Sequence, residues 1–90
     1  MKVKVWGEWQ EYYEAAEHDA TTEESAALHV AKTCVDAFPE ANDGDQARIY
    51  VRHASSVDPV DDWSPEGDGD TRVFVVTQRV SVSYDVKAKR

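Results

Sequence analysis

Residues 58–70 read DPVDDWSPEGDGD and hold Asp58, Asp61, Asp62, Glu66, Asp68 and Asp70 around a single Trp63. Two kinds of chemistry suit such a stretch. Carboxylates on alternate residues, as at Asp68 and Asp70 and again at Asp43 and Asp45, suit hard cations. A calcium loop of the EF-hand kind needs further oxygens at fixed offsets and a closing glutamate, and these offsets are missing. An indole ringed by acids suits a contact in which Trp63 enters a partner's pocket while the carboxylates meet a basic rim. The competing structural reading folds Trp63 back to pin a compact loop. The segment is taken here as a recognition loop.

A second acidic pattern precedes it. Glu8, Glu11, Glu14 and Glu17 recur every three residues, with Asp19, Glu23 and Glu24 close behind. Helical or extended, this spacing sends carboxylates to solvent. A dense array of that sort can imitate duplex DNA, which carries about one charge per 1.7 Å of axis. Most acidic clusters only keep a protein soluble, and a carboxylate-rich surface also suits a salt-loving organism.

Other chemistries lack their residues. His53, Ser55, Ser56 and Asp58 are neighbours in one loop, whereas a nucleophile, its base and an orienting carboxylate must converge from a scaffold. His18, His29 and Cys34 show no zinc-ligand spacing, and there is no glycine-rich phosphate loop. The expectation is a non-enzyme with no cofactor and no metal.

These residues need elements to position them. MKVKVW alternates Val3 and Val5 against Lys2, Lys4 and Trp6, the period of a half-buried strand. For residues 7–20 the aromatics suit a continuing or re-entering strand, while Glu, Gln and Ala favour a helix. The aromatics predict a strand here. Thr21 and Glu24 at capping-box spacing, with Pro39 closing the far end, predict a helix over 22–38. Its apolar stripe is Ala27, Val30, Ala31, Cys34 and Phe38, flanked by Leu28 and Val35. ARIYVRH (47–53) is a second strand. TRVFVVTQRVSVSYDVKAK (71–89) is too long for one strand of a small domain, so a bend is expected near 77–79. The order β-α-β-β predicts an α+β fold, one helix on a small, mainly antiparallel sheet of three to four strands.

Ninety residues make one domain, residues 1–90. Eighteen acidic against ten basic side chains give a net charge of −8, which repels nucleic acid and anionic membranes and attracts basic proteins. One cysteine and no apolar leader or span make the cytoplasm the expected compartment, the host's if the chain is phage-encoded. The strand phases would gather Lys2, Lys4, Trp6, Arg48, Tyr50, Arg52, Arg79, Ser81, Ser83 and Lys87 on the sheet face away from the helix.

The expected function is therefore an acidic protein-binding module that docks on a basic, nucleic-acid-handling protein. Small, acidic, motif-poor chains of this kind occur among phage and mobile-element inhibitors, including DNA mimics of the anti-CRISPR or anti-restriction type. Glu8, Glu11, Glu14, Glu17 and the 58–70 loop would be its contact. The alternative is a single-stranded nucleic-acid binder that stacks and clamps its ligand with Trp6, Arg48, Tyr50, Arg52 and Arg79 on an open sheet.

Overall fold

The computed structural model describes residues 1–40, 42–59, 63–79 and 83–89. Alternating side chains build the sheet. Val3 and Val5 turn inward on β1 (Lys2–Gly7), Ala47, Ile49 and Val51 on β3 (Gln46–His53), and Phe74 and Val76 on β4 (Thr71–Arg79). β5 (Ser83–Ala88) adds Val86 and Tyr84 to the same side. Ala26, Ala27, Val30 and Ala31 of α1 (Glu23–Thr33) complete this core, small residues that let the helix lie close to the valines.

The fold is α+β, one helix on an antiparallel sheet, as the periodicity implies. With β2 (Ala16–Asp19) the sheet has five strands in the order β2-β1-β3-β4-β5, more than the three to four expected. The extra strand is β2, which re-enters beside β1 with Lys4 opposite Glu17 and Val5 opposite Ala16. Between β1 and β2 the chain makes a turn and a short 3-10 helix, Tyr12–Glu14, where alternation gives no guide. The C-terminal segment is two paired strands, with Arg79 opposite Ser83; residues 77–79, where a bend is expected from length alone, instead continue β4 in register with β5. Val80, Ser81 and Val82 lie outside the described residues.

Helix α1 departs from its expected limits at both ends. Thr22, not Thr21, is the N-cap: its hydroxyl accepts from the Ser25 backbone N–H at 3.0 Å, and Ser25 takes the role assigned to Glu24. At the far end Cys34 is extended (φ −98°, ψ 114°), so the helix stops at Thr33. Thr33, Cys34 and Val35 are all weak helix formers. The early stop also lets Phe38 turn back to meet Tyr84 at 5.9 Å between ring centroids, and it leaves Val35 76% exposed.

No helix among the described residues is long and apolar enough to cross a membrane.

Candidate interaction surface

A second apolar layer lies on the sheet face opposite α1. Trp6, Tyr50 and Val73, on the outward phase of β1, β3 and β4, are buried there, with Tyr12, Ala15 and Trp63 packed on them. The rings form one cluster. Trp6 meets Tyr12 edge-on at 5.0 Å, Tyr50 at 5.5 Å and Trp63 at 5.8 Å, and Tyr12 meets Trp63 at 5.5 Å. Arrangements of this kind add to the area they bury because ring edges and faces carry opposite partial charge.

The acidic loop makes this layer by folding across it. Asp68 is the hub: one of its carboxylate oxygens accepts from Arg52, from the indole N–H of Trp63 at 2.8 Å and from the Thr71 hydroxyl at 3.0 Å. Its other oxygen accepts the Asp70 backbone N–H at 3.1 Å. Arg52 also donates to the Val57 carbonyl at 2.6 Å and lies 3.8 Å from Asp70. Asp58 lies 3.6 Å from Lys4 and accepts from the Tyr12 hydroxyl at 3.2 Å. Glu66 pairs with Lys89 at 2.8 Å and with Arg48 at 3.6 Å.

Each described carboxylate of the loop thus meets a cation of the same sheet face. Such internal pairing neutralises a charge otherwise available to a partner. Trp63 is half-buried, so the folded-back alternative describes it; the sequence cannot decide this because both uses need the same residues. Asp61 and Asp62 lie outside the described residues.

The face expected to be open is consequently covered. Trp6 is 1% exposed, Arg52 4% and Tyr50 8%. None of the three presents its flank for stacking a base. Arg48 and Arg79, further along the sheet, remain exposed. One signal in the sequence pointed this way: Trp6, Tyr50 and Val73 share the outward phase, and an apolar stripe on the second face of a sheet needs a cover of its own.

Compared with known proteins, the chain matches no family model, no curated protein and no solved structure. Its chemistry has to be read from its own geometry.

The four glutamates of the N-terminal run stay at the surface. Glu8, Glu11, Glu14 and Glu17 are all exposed. Glu14 closes the short 3-10 helix by accepting the Glu11 backbone N–H at 2.7 Å, and Glu8 accepts weakly from the Arg48 N–H at 3.5 Å. Adjacent tyrosines part company in that helix: Tyr12 turns into the aromatic cluster, whereas Tyr13 is 84% exposed between Glu11 and Glu14. Sequence reasoning missed Tyr13, since nothing in the composition separates it from its neighbour.

Burial raises the Tyr50 phenol above its ordinary value of 10.0, and the charges of Glu66 and Glu8 raise it further against the opposing effect of Arg48. Lys4, which sits over the Tyr12 ring at 5.4 Å, is raised above 10.5 by the Tyr12 hydroxyl and by Asp58.

Proposed function

We propose that this chain is a non-enzymatic acidic protein-binding module that docks on a basic, nucleic-acid-handling protein and blocks or tunes it. The small DNA-mimicking inhibitors of phages and mobile elements, directed at restriction or CRISPR systems, are the nearest functional analogy. The observation that carries this reading is Tyr13, 84% exposed between two exposed glutamates. Between Lys4 and Lys32 the sequence contains no lysine or arginine and seven carboxylates. An amphipathic ring in a field of one sign suits a contact in which the acids steer a cationic partner and the ring supplies the desolvated anchor.

The contact is drawn from Glu8, Glu11, Tyr13, Glu14 and Glu17. The 58–70 loop contributes less, because Asp58, Glu66, Asp68 and Asp70 face cations of their own sheet. Its part is to hold the aromatic layer on which the short 3-10 helix rests.

The test is affinity capture of basic proteins from host extract on immobilised wild type and on a Tyr13→Ala/Glu14→Gln/Glu17→Gln variant of unchanged circular dichroism. Wild type should retain a basic partner that raised salt releases, and the variant should lose most of it. Equal retention on both would place the contact elsewhere. Labelled single-stranded DNA and RNA should not bind wild type at low salt; micromolar binding would favour the nucleic-acid alternative.

A further inference from the structure

The two edges of the sheet are unlike. β2 on one side is four residues long, short enough to offer a neighbouring chain little to pair with. β5 on the other side runs for six residues in unbroken register with β4, and among the described residues no strand lies beyond it. An uninterrupted edge of this length is a template for another strand.

The backbone phase of that edge is fixed. Lys89 donates its N–H to the Val73 carbonyl at 2.9 Å, and from there the register puts Lys87 opposite Val75 and Asp85 opposite Thr77. In an antiparallel pair, hydrogen-bonded and non-hydrogen-bonded pairs alternate. Residues 85, 87 and 89 therefore bond to β4, and Tyr84, Val86 and Ala88 direct their N–H and C=O groups away from it.

The same three residues carry the apolar phase of the strand. Tyr84 and Val86 pack on the core beneath α1 yet stay half-buried, and Ala88 is exposed. Lys32 lies over the Tyr84 ring at 5.7 Å and Phe38 meets it at 5.9 Å, and in the chain between these two Val35 is 76% exposed. The cover supplied by the helix thus stops short of the edge, and apolar surface is left beside the outward backbone groups.

The strand that fits this edge is β5 itself. Turned about Val86, a second copy runs antiparallel and sets Tyr84 opposite Ala88, Val86 opposite Val86, and residue 85 opposite residue 87. Every outward residue then falls in a pair that exchanges both of its N–H···O bonds. Positions 85 and 87 are an aspartate and a lysine, so opposite charges face each other across the join. Slipping the copy by two residues keeps the bonding pattern but sets 85 opposite 85 or 87 opposite 87. Like charges directly opposite are destabilising, which selects the register centred on Val86.

We infer that β5 is a self-association edge, at which a second copy of this chain pairs antiparallel about Val86 and joins two sheets into one. Residues directly opposite in such a pair point to the same side, so both helices lie on one face of the joined sheet. The interface is small, and the dimer is accordingly weak and formed at high protein concentration. A net charge of −8 on each copy opposes it at low ionic strength, and screening by salt favours it. Docking on a basic partner has the opposite salt dependence, so the two readings stand or fall separately.

The test is sedimentation equilibrium of the intact chain over a concentration series, with amide hydrogen exchange followed by NMR. Wild type should form a weak dimer that tightens from low to physiological salt. Exchange at Tyr84, Val86 and Ala88 should slow as concentration rises, while Lys87, already bonded to β4, should not change. Asp85→Lys and Lys87→Asp each set like charges opposite one another and should each weaken self-association at least about tenfold. Mixed together, the two variants should pair with each other as wild type pairs with itself, a recovery that misfolded chains could not give. Four results would overturn the assignment: a chain monomeric throughout, a dimer that both charge variants leave unchanged, no recovery in the mixture, or protection confined to residues outside β5.

Discussion

Arg52 of β3 and Asp68 of the loop above it form an ion pair largely closed to water, the arginine side chain 4% exposed and the aspartate 17%. The pair ties the acidic loop to the sheet and sets the Trp63 indole through the same carboxylate. A charge so placed is held by its partner and by the hydrogen bonds around it, since desolvation alone would disfavour it.

Removing one member should therefore cost much more than replacing both. Asp68→Ala leaves the Arg52 guanidinium without its main partner and is expected to destabilise by about 3–5 kcal/mol, a large part of a small domain's total. The double replacement Arg52→Met/Asp68→Leu should recover at least about half of that loss, because no uncompensated charge stays buried. Urea titrations of the two variants against wild type check this; equal costs would mean that the ion pair is incidental to the loop.

Gly7 is required by a close approach. A Cβ built there would stand 2.3–2.4 Å from the Trp9 ring, which lies flat against the end of β1. Gly7→Ala should cost about 1–3 kcal/mol, the usual range for overpacking, and should move Trp9. Thermal unfolding together with tryptophan emission measures both. An unchanged spectrum with unchanged stability would show that Trp9 is not held there.

The helix cap separates two adjacent threonines. Thr22 bonds the Ser25 N–H, so Thr22→Ala should lose about 1 kcal/mol, a typical N-cap value. Thr21→Ala should lose close to nothing. Chemical denaturation of the two variants side by side tests the assignment, and a larger loss at Thr21 would shift the helix start by a residue.

Alkaline titration reports the buried phenol. Tyr50 is raised above 10.0 in the fold, so between that value and its folded pKa the native state holds a proton that the unfolded chain has lost. Its contribution is fully present below pH 10.0 and fades as pH rises through the folded pKa. Phenolate absorbance should show one late step, absent in Tyr50→Phe, and that variant should lose less stability than wild type above pH 10.0. A titration identical in the two proteins would contradict the burial.

The α+β class, the inward phases of β1 and β3 and the division of residues 71–89 into two strands were legible from the residues alone. Alternation of side chains is a local property: whichever strands pair, Ile49 and Val51 share a face and Arg48 and Tyr50 the other. The helix start was legible to one residue, because Thr21 and Thr22 have equal capping power, whereas its end was overrun by five residues, since the helix stops at Thr33. What tertiary structure decided was the fate of charge and aromatic surface. Arg52 and Asp68 are sixteen positions apart, and their pairing depends on where the loop lands, a balance of desolvation against attraction that exists only once the sheet is formed. The same event buried Trp6 and Tyr50, turned Trp63 inward, and left Tyr13 with Glu8, Glu11, Glu14 and Glu17 as the acidic surface facing outward. An identical list of residues with the loop raised would have been a bare cationic sheet.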